Sequence, residues 1–130
     1  MASIRKEFLL DNRPERVWDA LRDVGALHTR VCPGFVTHTV LEEGARIVTF
    51  GNGMVARELI VDVDDEARRV VWAVVGGQLS HHNASVQVFA DGNGSRLVWQ
   101  ADLLPNELAG DIRAMIEHAA SVMKPTLEKQ

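Results

Sequence analysis

The chain has one cysteine in 130 residues, Cys32, so it forms no internal disulfide and is expected in a reducing compartment. It has no surplus of positive charge. Fourteen Lys and Arg stand against eighteen Asp and Glu, a net charge of −4, which leaves no basic surface for phosphate backbones or anionic lipids. Nucleic acid is therefore not an expected partner. No apolar run approaches membrane-spanning length, and the start, Met1 to Lys6, carries charge without a following apolar stretch or small-residue cleavage site. The expectation is a soluble, cytoplasmic protein with no membrane span. Internal repeats and low-complexity segments are also lacking, and 130 residues suit one domain spanning residues 1–130. With 46% hydrophobic residues that domain can bury a sizeable core.

What the chain does have is a distinctive order of patterns. Ile4 to Leu10 reads as a strand ended by Asp11 and Asn12. Pro14 then sits where a helix tolerates proline best, and Val17, Trp18, Ala20, Leu21 and Val24 recur at helical spacing as far as Gly25. Ala26 to Val31 continues as a further helical turn or two, stopped by Pro33-Gly34. After Gly34 the period becomes two. Strands are expected at Phe35 to Glu42, Arg46 to Phe50, Met54 to Asp62, Arg69 to Val75, His81 to Ala90 and Ser95 to Leu103, separated by Gly-, Asn- and Asp-rich turns. Short connections make neighbours antiparallel. From Asn106 an apolar stripe of Leu108, Ile112, Met115, Ile116, Ala119, Val122 and Met123 predicts a long amphipathic helix, broken near Pro125. One curved sheet cannot close its own concave face, so the last helix must plug it, and the space between is a natural ligand cavity.

Several segments carry a family resemblance: Arg13-Pro14-Glu15-Arg16-Val17-Trp18-Asp19-Ala20-Leu21, Arg68-Arg69-Val70-Val71-Trp72, Asn83-Ala84-Ser85-Val86-Gln87-Val88, and Leu97-Val98-Trp99 leading to Leu103-Leu104-Pro105. Together they resemble the SRPBCC superfamily, which includes polyketide cyclases and dehydrases, START-type lipid carriers and Bet v 1-like plant proteins. The resemblance implies an α+β helix-grip fold: a seven-stranded antiparallel curved sheet wrapped around a long C-terminal helix, with two short helices after the first strand. It implies binding of a small hydrophobic or aromatic molecule in an internal cavity, with cyclase- or dehydrase-like chemistry as the enzymatic extension and no cofactor. No member family's catalytic signature carries over, because this fold hosts many unrelated activities.

Alternation predicts which side chains face the cavity. On the strand from Met54, Val55, Leu59, Val61 and Val63 are apolar while Glu58 and Asp62 alternate with them, so the first set, and Arg57 with it, is expected inward. The same argument turns His82, Ala84, Val86 and Val88 inward, and likewise Leu97, Trp99, Ala101 and Leu103. The strand from Arg69 is apolar on both faces; the resemblance suggests that Val70, Trp72 and Val74 point in. On the strand after Gly34 the set Val36, His38 and Val40 is placed inward. Phe50, Met54, Ile112, Met115 and Ile116 complete the expected lining.

An apolar cavity with few converging polar groups is the usual form of a small-molecule site. Arg57 would fix a carboxylate or enolate oxygen, and His82 or His38 would shuttle a proton in a cyclase-like reaction. Against these stand plainer readings: Trp72 and Trp99 as core, Arg57 as a surface ion pair, and the histidines as structural or exposed. No metal site is expected, since His28, Cys32 and His38 match no zinc spacing and the adjacent His81 and His82 point to opposite faces. Cys32 reads as a small buried residue, and Gly51-Asn52-Gly53 and Gly92-Asn93-Gly94 as hairpin turns because neither opens a helix. The alternative functional class is a protein-interaction or regulatory module with a filled cavity, whose outward set Val71, Ala73 and Val75 would support a homodimer.

Overall fold

The computed structural model describes all 130 residues. In chain order the elements are β1 (Ala2–Leu10), α1 (Pro14–Arg22), a π-helical turn (Leu27–Val31), β2 (Val36–Glu42), β3 (Ala45–Phe50), β4 (Val55–Asp64), β5 (Arg69–Val75), β6 (His81–Asp91), β7 (Gly94–Leu104) and α2 (Ala109–Glu128). The seven strands form one antiparallel sheet in the order β1-β7-β6-β5-β4-β3-β2. Every neighbour from β2 to β7 follows its predecessor in sequence, because each connection is a turn too short for a crossover. Only β1 is non-sequential, closing beside β7. The long α2 lies across the concave face, which makes this a helix-grip fold of the Bet v 1 type.

Local chemistry accounts for the elements that hold the cavity open. Proline opens α1, where its missing N–H costs nothing, and Val17, Ala20 and Leu21 bury one face. The Trp18 indole N–H donates to Asp65 Oδ1 at 2.9 Å, tying α1 to the turn before β5. On α2, Ile116, Ala119, Met123 and Leu127 recur every three or four residues and are all nearly inaccessible. They face Ile4, Val86, Leu97, Ala101 and Leu103 in a single core cluster. Burying each of the larger side chains contributes roughly 1.5–3 kcal/mol.

Pro125 does not break α2. The helix runs through it to Glu128, one turn beyond the expected end. A proline inside a helix loses one hydrogen bond and crowds the preceding turn, but the last turn is fastened from outside. Leu127 is wholly buried, its carbonyl accepts the Asn12 side-chain amide at 2.9 Å, and Glu128 accepts the Asp11 backbone N–H at 2.7 Å. Lys124 adds a bond from Nζ to the Leu9 carbonyl. Tertiary anchoring thus outweighs local helix propensity.

Two strands carry bulges, and both alter which residues face α2. The β2–β3 register shifts between Val36 and His38, and the β4–β5 register between Ile60 and Asp62. An extra residue on one strand exchanges its two faces from that point onward.

Candidate functional site

Between α2 and the concave sheet lies a cavity of about 190 Å³. Of its 25 lining residues 21 are hydrophobic, so an occupant would be held chiefly by apolar contact. Val36, Phe50, Trp72, Val74, His82, Val86 and Trp99 line it from the sheet, and Ile112, Met115 and Ile116 from α2. Trp72 and Trp99 pack against each other with ring centroids 6.0 Å apart, forming a broad aromatic patch on the wall.

Six residues expected inward lie elsewhere: His38, Val40, Val55, Arg57, Leu59 and Val61. Val55 is 63% exposed, and Arg57 and Leu59 share its face, turned away from α2. Arg57 is exposed, with Nε 4.0 Å from Glu42 Oε1, a surface ion pair rather than a ligand anchor. The bulge near Val61 is the reason. Odd-numbered residues of β4 face outward before it and inward after it, so Val63 packs on the core while Val55 and Leu59 do not. The β2 bulge acts likewise: Val36 points in, but beyond it Thr39 is buried and His38 and Val40 are exposed. His38 meets the His28 ring edge-on at 5.8 Å, outside the cavity.

The inward position of β4 holds Glu58 instead. The turn Gly51-Asn52-Gly53 pairs β3 with β4 so that Arg46 stands directly opposite Glu58, and Glu58 opposite Val74. Arg46 Nε donates to Glu58 Oε1 at 2.8 Å, with the two side chains only 5% and 7% exposed. Arg46 Nη1 donates to the Val24 carbonyl at 3.1 Å, and the guanidinium lies 5.7 Å from the Trp72 ring centroid. Both charges line the cavity. The sequence signal for this pair was the turn itself: residues equidistant from Asn52 become cross-strand partners.

On the same side of the sheet, His82 Nδ1 accepts the Val74 backbone N–H at 3.0 Å. A ring nitrogen that accepts carries no proton, so the neutral imidazole holds its hydrogen on Nε2. Burial, and to a smaller extent the charge on His81, hold the His82 pKa below the ordinary histidine value, while Asp102 opposes them. The unfolded chain thus takes up this proton first, so the His82 contribution to stability is present at neutral pH and is lost as pH falls through and below the ordinary histidine range.

Burial pushes the Cys32 thiol up to about 12, with Glu58 adding to the effect and Arg46 opposing it. Its Sγ donates to the Leu27 carbonyl at 3.7 Å. Cys32 is therefore expected to resist alkylation by iodoacetamide at pH 8 in the folded protein and to react at the rate of a free thiol in 6 M urea. Equal rates in both states would place the sulfur in solvent.

The mouth of the cavity is aromatic. Phe35, Phe50 and Met115 line both the cavity and a groove on its outer side, so they form the partition between the two. Phe35 meets Phe50 edge-on at 5.7 Å and His118 at 5.3 Å. This closeness needs glycine at position 51: its N–H donates to the Phe35 carbonyl at 2.8 Å, and any Cβ there would collide with the Gly34 carbonyl.

The profile of the family described as polyketide cyclase / dehydrase and lipid transport matches residues 1–130. The chain belongs to this polyketide cyclase/dehydrase and lipid transport family. Its members' backbone recurs in solved structures of low sequence identity. XoxI from Bacillus cereus superposes with a TM-score of 0.84 at 16% identity, over 99% of this chain and 94% of that one. A protein from Thermobifida fusca gives 0.81 at 24% identity, over 98% and 91%. Ara h 8.0201 gives 0.78 at 15% identity, over 99% of both chains. At such identities the likeness concerns the fold. No curated protein sequence matches the chain. What defines the family chemically is breadth, so a ligand has to be argued from the cavity of this member.

Proposed function

We propose that this protein binds a small hydrophobic or aromatic molecule in the cavity between α2 and the sheet. The observation that carries the reading is the cavity itself, about 190 Å³ of mostly apolar wall with a Trp72–Trp99 patch. Its size limits the occupant. Apolar cavities of roughly 150 Å³ take up a benzene-sized molecule, so the ligand is on the scale of one to two rings.

Binding is better supported than turnover. A cyclase or dehydrase needs a proton acceptor in the site, yet His82 has one nitrogen engaged and the other protonated, and Glu58 is tied to Arg46. His82 acts here as a donor. The second reading, association with another protein or a second copy, draws on Val40, Val55, Val61 and Val75, which are exposed on the sheet. Sedimentation of the protein at rising concentration tests association of two copies, and a strictly monomeric species sinks that form of the reading.

Naphthalene, followed by quenching of tryptophan fluorescence, tests the leading reading. Wild-type protein is expected to bind it saturably. Ala119→Phe places a ring into the cavity from a buried position on α2, at a cost of about 1–3 kcal/mol from overpacking. That variant should stay folded and lose the binding. Failure of the wild type to bind, or unchanged binding in the variant, removes the cavity as the site.

A further inference from the structure

The ladder between β5 and β6 stops early. Val88 N–H donates to the Arg68 carbonyl at 2.9 Å and the register then runs from Arg69↔Gln87 to Trp72↔Ala84, so Val74 and His82 are the next pair due to share backbone bonds. They do not pair. Val74 N–H donates instead to His82 Nδ1 at 3.0 Å, a side-chain nitrogen taking the place of a carbonyl. Away from this seam both strands stay in the sheet, Val74 opposite Glu58 on β4 and His82 opposite Leu103 on β7. The imidazole bridges two strand ends that no longer form a ladder.

The seam lies in the cavity wall. Val74 and His82 both line the cavity, and so does Leu79, which packs against the core from the connection Gly76-Gly77-Gln78-Leu79-Ser80. Gly76 and Gly77 have φ of 80° and 70°, left-handed values at which the chain turns sharply without side-chain strain. Beyond them Ser80 N–H donates to the Leu104 carbonyl at 2.9 Å, while Val75 on the other side pairs with Arg57 of β4. Each end of the connection is thus tied to a different half of the sheet, and the Val74–His82 bond draws the two halves together.

We propose, on the footing of the binding role above, that His82 is a pH-operated latch on the cavity: the neutral ring holds β5 to β6 and keeps Leu79 seated, and the protonated ring releases Val74 and opens a passage for the ligand. An imidazolium carries hydrogen on both nitrogens, so Nδ1 would meet the Val74 N–H donor to donor and the bond is lost. The surroundings decide when this happens. His81 on the same strand and Asp102 on β7 act on the ring with opposite signs, and Glu58, opposite Val74, has its charge taken up by Arg46. Nothing in the connection from Gly76 to Ser80 titrates, and α2 meets the cavity here with Ile112, Met115 and Ile116. Burial is the largest influence and favours the neutral ring. The latch is therefore shut at neutral pH and opens as pH falls below the ordinary histidine range.

Amide exchange and ligand release read the latch separately. Between pH 7.5 and 5.0 the Val74 amide, corrected for the intrinsic pH dependence of exchange, should lose about tenfold in protection, while the Val86 amide inside the ladder keeps its own. Release of naphthalene, followed by tryptophan fluorescence in stopped flow, should accelerate by a similar factor. His82→Asn puts a non-titrating oxygen close to the place of Nδ1 and should make both profiles flat in pH, whereas His82→Leu removes the acceptor and should leave Val74 poorly protected throughout. His81→Gln should keep the wild-type profile; should His82→Asn fail to fold, the wild-type and His81→Gln profiles decide. Val74 protection that ignores pH, a loss shared equally by Val86, or a wild-type profile in His82→Asn overturns the latch. Protection lost at Val74 without faster release overturns its hold on the cavity and leaves the binding function standing. If naphthalene fails to bind at any pH, the binding function falls and this inference falls with it.

Discussion

Glu58→Leu is expected to destabilise the protein by about 3–5 kcal/mol, a fall in melting temperature of roughly 10–20 °C for a domain of this size. The change leaves the Arg46 guanidinium buried with no counter-ion, since its remaining bond is to a neutral carbonyl and its remaining contact is the Trp72 ring. Most of the loss comes from the stranded charge rather than from the pair as such. Hence the double variant Arg46→Met/Glu58→Leu should recover most of the wild-type stability, or exceed it, because two apolar side chains of similar volume need no desolvation. Thermal and urea unfolding of the four proteins complete the cycle. A single variant within 2 °C of wild type, a shift of well under about 1 kcal/mol, would show that water reaches the pair.

This pair also marks the boundary of what could be read from the sequence. The strands were legible because Gly-, Asn- and Asp-rich turns punctuate period-two segments, and the family resemblance supplied the arrangement of sheet and helix. On β5, β6 and β7 the inward faces were legible too. Val70, Trp72 and Val74, then His82, Ala84, Val86 and Val88, then Leu97, Trp99, Ala101 and Leu103 turn toward α2 without a break in register. On β2 and β4 alternation misleads for two physical reasons. A bulge reverses the faces part-way along each strand, and nothing in composition announces a bulge. In addition, the outward face of β4 is itself apolar at Val55, Leu59 and Val61, while the inward face carries Glu58. A rule that sends charges outward inverts such a strand. Arg57 was accordingly placed in the cavity that Glu58 and Arg46 in fact line. Pairing logic would have done better than hydropathy here, since a hairpin centred on Asn52 puts Arg46 across from Glu58 and their opposite charges then explain each other.

Ile116→Asp is expected to abolish cooperative folding. Ile116 is 4% exposed, lies at the middle of α2 and faces both the cavity and the sheet core. A carboxylate there has no free cation to meet, because Arg46 is already engaged by Glu58. The penalty for an unpaired buried charge is several kcal/mol after relaxation, comparable with the whole stability of a small domain, about 5–15 kcal/mol. The effect should be positional rather than a matter of adding negative charge to the helix. Ala114→Asp, two residues away on the solvent side of α2, is expected to change stability by no more than about 0.5 kcal/mol. Near-ultraviolet circular dichroism reports the packing of Trp72 and Trp99 directly, so the Ile116 variant should lose that signal and its melting transition together. If Ile116→Asp instead melts like Ala114→Asp, α2 does not cover the concave face, and the cavity loses the wall that makes it a binding site.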